Sequence, residues 1–180
     1  MKALTGLKFK VPRKGDYHGC HVTADHVTNG HWLFESRWLE RNKGKTRALR
    51  NMLKNLRVEK VTARLQGEEV RDFAQRIGEI IPDADRIAER YEAFESGHPK
   101  AFQTVEKPKE PGALKHVLLS DADGTVRTAV GYQYAACFLF SPDVEIFVNK
   151  TDRLAPVVLM ECGHVVGLIM PIRVAELENK

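Results

Sequence analysis

The sequence predicts an α+β fold: antiparallel sheets with a few helices. Three observations carry that expectation. Two dipeptides, Asn29-Gly30 and Asp123-Gly124, each stand between runs of strand-forming residues and mark hairpins. Glu68–Ile80 and Asp83–Glu95 read as helices separated by Pro82. Three short strands, Asp143–Asn149, Ala155–Met160 and Val165–Val174, then follow closely on one another, divided by Lys150–Arg153 and Glu161–Gly163.

From the beginning of the chain, Ala3–Val11 alternates loosely and reads as a strand ended by Pro12. Cys20–Val27 and His31–Ser36 flank Asn29-Gly30, both of which tolerate the positive φ of a type I′ turn. A two-residue turn there sets Val27 beside Trp32 and His26 beside Leu33. Thr46 can cap a helix running to about Leu56, with Leu49, Met52, Leu53 and Leu56 as its apolar stripe. Val58–Leu65 alternates as a strand, turned by Gln66-Gly67. Gly97–Gly112 holds Pro99, Pro108 and Pro111 and reads as a linker, which divides the chain into 1–96, 97–112 and 113–180. Lys115–Leu119 and Thr125–Ala129 flank the second hairpin turn. Gly131–Phe140 fits a short helix with Tyr132, Ala135 and Ala136 packed inward, and equally a buried strand, because periodicity does not separate short apolar runs.

At 180 residues, 43% of them hydrophobic and 29% charged, the chain can build a packed core in one domain or two small ones. The formal net charge of +4 and the pI near 9.0 are compatible with a nucleic-acid partner without requiring one. Cys20, Cys137 and Cys162 form neither a disulfide framework nor a paired zinc pattern. MKALTGLKFKVPRK lacks the apolar run of a signal peptide, and no stretch approaches the roughly 18–20 apolar residues of a membrane span. A cytoplasmic protein without a membrane partner is expected.

His18, Cys20, His21, Asp25, His26 and His31 crowd together near the first hairpin. In one extended strand Cys20 and His26 share a face while His21 and Asp25 share the opposite one, so a tetrahedral metal site would need a bulge. Ser and Cys residues lack a local His and acid to make a nucleophile, and the glycines form no nucleotide-binding fingerprint. No catalytic residue, cofactor or metal is therefore expected. Charge is more informative. Arg41, Lys43, Lys45, Arg47, Arg50, Lys54, Arg57, Lys60 and Arg64 stand against one acid, Glu59, between positions 41 and 64. Arg47, Arg50, Lys54 and Arg57 would lie along one helix face, where they can follow a phosphate backbone or form a solvated cationic surface.

Several stretches resemble a known family. TNGHWLF resembles the TDGHRLA motif of the bacterial DNA polymerase III β sliding clamp. VNKTDRLAPVVLMECGHVVGLIMPIRV resembles that family's terminal strands, which end in an MPMRL-like sequence, and IIPDADRIA is similar to its FPDYRRV segment. KTRALRNMLKNLRVEKVTARLQGEEV stands where the family has a helix and a strand hairpin. The order along the chain is the family's, and the resemblance spans roughly residues 22–90 and 131–174, like the family's middle and C-terminal domains.

The resemblance implies the clamp fold and a hydrophobic cleft that receives short peptides from DNA polymerases and repair proteins. One wall would be Thr28, Gly30, His31 and Leu33, and a second part Pro82, Arg86 and Ile87. Leu154, Pro156, Leu168, Met170, Pro171, Ile172 and Arg173 would supply the rest. Apolar side chains give area, Met adapts to varied ligands, and Arg fixes a peptide carboxylate or carbonyl. Core roles for Leu33, Ile87 and Leu168 are the plain alternative, and Pro171 suggests a strand edge or end. Trp32 replaces the family's Arg, and Ala84 and Asp85 replace an aromatic and a base. No counterpart of the family's N-terminal domain is present in this sequence, so a homo-oligomer of another kind would be needed to encircle double-stranded DNA. The resemblance thus implies a non-enzymatic processivity factor, or a decoy competing with a host clamp for its clients. From the residues alone, a stand-alone nucleic-acid-binding domain and a small metal-dependent enzyme on the His-rich hairpin are the rivals.

Overall fold

The computed structural model describes residues 21–22, 26–28, 31–42, 79–105, 115–132, 134–135 and 143–178. The expected strand Ala3–Val11, the basic helix with Arg47, Arg50, Lys54 and Arg57, the strand Val58–Leu65, most of the helix Glu68–Ile80, and Gly30 lie outside these residues. The fold is α+β with antiparallel sheets and few helices. By its contacts the chain divides into two units, Met1–Ala84 and Asp85–Lys180.

In the first unit, β1 (His21–Val22), β2 (His26–Thr28) and β3 (Trp32–Glu35) pair antiparallel in that order, and α1 (Ser36–Asn42) follows directly. Two expectations are corrected here. Cys20–Val27 is not one strand, because His21 and Val22 pair antiparallel with Thr28 and Val27. Across the second turn, Thr28 pairs with Leu33, Val27 with Phe34 and His26 with Glu35, two residues away from the tight-turn register. Thr28 Oγ1 donates to the Trp32 carbonyl at 2.5 Å. A two-residue slip leaves every side chain on its original face, so the core pattern survives it. That core is aromatic. Trp32 and Phe34 are tilted at 5.4 Å, and Phe34 stacks on Trp38 at 5.3 Å, all three almost fully buried. Helix α1 was not anticipated. Trp38, Leu39 and Asn42 share one buried face at helical spacing, and Asn42 Nδ2 donates to the Trp38 carbonyl one turn back.

Helix α2 (Ala84–Arg90), all but its first residue in the second unit, passes straight into β4 (Tyr91–Ala93). The expected helix therefore stops five residues before Glu95. Tyr91, Glu92 and Ala93 pair with Asn149, Val148 and Phe147, and the Phe94 amide continues the ladder to Ile146. Lys150 fixes the helix end. Its ammonium donates to the Ala88 and Glu89 carbonyls at 2.9 and 3.0 Å, a cation on the negative end of the helix.

The remaining strands are β5 (Phe102–Val105), β6 (His116–Ser120), β7 (Val126–Gly131), β8 (Glu145–Asn149), β9 (Val157–Glu161) and β10 (His164–Ile169), followed by one helical turn, α3 (Ala175–Glu178). They form two sheets, in the orders β5-β6-β7 and β4-β8-β9-β10. Strand β5 lies inside the segment 97–112 expected to be a linker, with Phe102 opposite Leu119 and its ring against Phe94. The β6–β7 hairpin turns at Asp123-Gly124 as expected: Gly124 has φ of +93°, and Asp123 accepts from the Thr125 amide at 2.7 Å. The β9–β10 turn uses Cys162 and Gly163, both at positive φ, as a tight hairpin requires.

Strand β10 ends at Ile169 instead of Val174, because Pro171 has no N–H to give a ladder. Residues 170–174 leave the sheet, and the Ile172 amide bonds the Ala129 carbonyl of β7. Tyr132 is also corrected. It is 43% exposed, not packed inward, and Lys115 Nζ stands 3.8 Å from its ring centroid. Ala135 is buried as expected, and Ala136 lies outside the described residues.

One bulge has an evident use. Leu119 pairs with Thr128 and Ser120 with Val126, which leaves Arg127 as an extra residue on β7. Its guanidinium bonds Glu92 of β4, and Asp121 beside β6 at 3.2 Å, tying the two sheets together. Burial pulls the Arg127 pKa down, but the hydrogen bonds and charges of the two carboxylates outweigh it and hold the pKa above the usual arginine value. A raised cationic pKa stabilises the fold fully below the ordinary arginine value and loses that contribution only in stronger alkali. The tie is therefore indifferent to pH through the neutral range as far as Arg127 is concerned.

Candidate functional site

A cavity of about 420 Å³ lies in the second unit, between the loop after β8 and the segment leading into α3. Thr151, Asp152, Arg153 and Leu154 form one wall, and Arg173, Val174 and Leu177 the other. Its size is at the small end of ordinary ligand pockets, which run from roughly 300 to 1,000 Å³.

The first wall is set by short-range polar chemistry. Asn149 Oδ1 accepts from the Thr151 amide at 3.0 Å, the Asp152 amide at 2.9 Å and the Thr151 hydroxyl at 3.3 Å. Asp152 Oδ1 accepts from the Leu154 amide at 2.9 Å, and the Asp152 carbonyl from the Ala155 amide at 3.2 Å. The bonds to Asn149 Oδ1 and Asp152 Oδ1 are side chains turning their own backbone, the habit of Asn and Asp in loops. The result is a leucine, Leu154, that is 40% exposed and yet carried on a closely determined loop.

Both walls hang from neighbouring residues of β7. Thr128, itself buried, donates its hydroxyl to the Arg153 carbonyl at 2.7 Å. Ala129 receives the Ile172 amide at 2.9 Å. One strand thus sets the spacing between loop and terminal segment.

The electrostatics favour an anion. Arg153 and Arg173 enter the lining from opposite walls, and neither makes an ion pair or side-chain hydrogen bond with another described residue. The one acid in the lining, Asp152, has an oxygen engaged by the Leu154 amide. Leu154, Val174 and Leu177 give the same cavity its apolar part.

Of the residues expected from the sequence, Leu154 and Arg173 meet in this cavity. Pro156, Pro171 and Ile172 lie half-buried on the segments that form its walls, and Met170 is 37% exposed at the end of β10. Leu168 and Ile87 are buried and serve the core of their unit, while Arg86 is exposed on α2. In the first unit Thr28 and Leu33 are buried, Pro82 is buried, and His31 is exposed. Leu33, Ile87 and Leu168 thus take the plain core role that was their alternative. Sequence reasoning missed Thr151, Asp152, Arg153, Val174 and Leu177. The available signal was Asn149-Lys-Thr-Asp152, whose Asx spacing marks a side-chain-closed loop.

Among the described residues no group of three or more His, Cys, Asp or Glu is placed to hold a metal ion. Among them, too, no helix is long and apolar enough to cross a membrane. The fold and cavity together define an α+β protein with a small, cationic, partly apolar cleft. No protein-family model, curated protein or solved structure matches the chain.

Proposed function

We propose that the protein is a sliding-clamp-like accessory factor of DNA replication or repair, without enzymatic activity, that takes client peptides in a hydrophobic cleft. Its clients would be polymerases or repair proteins carrying clamp-binding peptides. The basic helix with Arg47, Arg50, Lys54 and Arg57 would contact double-stranded DNA in a homo-oligomer, in the cytoplasm. The observation that supports this reading is the cavity where Leu154 and Arg173, two residues that the clamp resemblance names for the cleft, stand together. The exposed Leu154 and Met170 add apolar surface of the kind that peptide grooves offer.

The test is a fluorescence titration of the full chain with a labelled clamp-client peptide, beside a Leu154→Ala/Met170→Ala variant. Both side chains are substantially exposed, so the variant keeps its core. Wild-type binding should weaken by about tenfold to a hundredfold in the variant, the loss expected for one or two apolar side chains leaving a contact. Absence of wild-type binding sinks the reading. Duplex DNA binding that is lost on reversing Arg50 and Lys54 to Glu, with no peptide binding at all, would favour a stand-alone nucleic-acid-binding domain instead.

A further inference from the structure

We infer that the cavity captures the free C-terminus of a peptide: an apolar last residue held by Leu154, Val174 and Leu177, and its α-carboxylate held by Arg153 and Arg173. The inference rests on the peptide-cleft reading and adds which part of the peptide is read. Arg153 and Arg173 line one small cavity from opposite walls, without a side-chain partner among the described residues, beside an apolar lining. A ligand that satisfies both brings an anionic group and an aliphatic group close together, and a carboxylate is the anion that a peptide carries.

A C-terminal residue does this within a single unit, because its carboxylate and side chain leave the same carbon. An internal acidic residue carries its carboxylate and the neighbouring apolar side chain on different residues. A cavity of about 420 Å³ has room for such a terminal residue. The chemistry of arginine also suits a carboxylate. Planar guanidinium groups bond carboxylates in paired fashion, and each takes less from a neutral amide. The Arg153 wall is held at both its backbone and its turn, by Thr128 and by Asn149, so that guanidinium starts from a placed backbone. Asp152 is the one opposing charge in the lining, and its bond to the Leu154 amide ties it to the loop.

The experiment compares four N-terminally labelled probes on the full chain by fluorescence anisotropy. They are Gly-Gly-Ser-Gly-Leu-Leu with a free carboxylate, the same peptide as its C-terminal amide, the free acid extended by three glycines, and an amide with Asp before the last Leu. The free acid should bind at least about tenfold more tightly than its amide or its extended form, the value of one charge-assisted contact. In Arg173→Gln, an exposed position, the acid should fall to the level of the amide while the amide is unchanged. If acid and amide bind equally and Leu154→Ala/Met170→Ala weakens both, carboxylate capture is wrong and the peptide cleft stands. If the Asp-containing amide matches the free acid, an acidic side chain is the true ligand and the inference falls. If no probe binds but the clamp-client peptide does, the inference again falls alone. Failure of every peptide removes both readings. Where the free acid binds, its displacement by an unlabelled single-stranded oligonucleotide would replace the carboxylate with a phosphate and overturn the inference.

Discussion

From Asn149 to Pro156 the chain is shaped by its own polar side chains, while from Met170 to Val174 it is shaped by a proline and held by the bond from Ile172 to Ala129. The two segments face each other across the same cavity, and each begins where a sheet strand runs out. The first has its direction determined locally: Asn149 and Asp152 would bend this backbone in almost any context. The second has little local instruction beyond the missing N–H of Pro171 and depends on β7 to catch it. The cleft thus has one placed wall and one adaptable wall, and Met170, flexible and polarizable, stands on the adaptable side.

Thr128 gives the sharpest way to break that contrast, because it is where the placed wall reaches the core. Thr128→Val keeps the buried shape and removes the hydroxyl bonded to the Arg153 carbonyl. The expected loss is about 1–3 kcal/mol, since a partly buried carbonyl is left without its partner. Urea unfolding should show a lower midpoint at unchanged slope. Peptide affinity should fall with it, although Thr128 lies outside the lining. If stability falls and affinity does not, the loop is placed by Asn149 alone.

Asn149→Ala should have a smaller effect. Its Oδ1 accepts from Thr151 and Asp152, but at exposed positions where water can replace it. About 1 kcal/mol is expected, comparable with loss of a helix cap. The more telling readout is amide hydrogen exchange. Exchange should speed up at Thr151, Asp152 and Leu154 and stay unchanged at Ile172, which belongs to the other wall. Equal acceleration at both walls would mean that they open as one cooperative piece.

How far the sequence announced these features follows from the range of the forces involved. Asp123-Gly124 was legible because positive φ is a property of the glycine itself. The end of α2 was not, because Ile87, Tyr91 and Phe94 continue at helical spacing while pairing to β8 pulls Tyr91–Ala93 into a strand. Local periodicity favours one state there, and a partner more than fifty residues away selects the other. Helix α1 escaped notice because seven residues hold too little period to distinguish it from the strand before it. For the cleft, Leu154 and Arg173 came from the clamp resemblance, whereas Arg153 and Leu177 depend on how β7 spaces two segments, which no short motif encodes.

The smallest effect should come from Pro171→Ala, and it tests the adaptable wall. Pro171 contributes no hydrogen bond through its nitrogen, so its value lies in the fixed φ that sends residues 170–174 off the sheet toward Ala129. Replacing it chiefly frees the unfolded chain, at a cost of about 0.4–1 kcal/mol. The folded structure should lose little, and exchange at Thr151 and Asp152 should be unaltered. Exchange at Ile172 should rise, because Ala can also carry β10 onward as a strand and compete with the bond to Ala129. Affinity for the free-acid peptide would then fall through Arg173, whose wall has moved, with Arg153 still in place. Should Ile172 instead remain protected, the capture by β7 is strong enough alone, and the terminal wall is as firmly placed as the loop it faces.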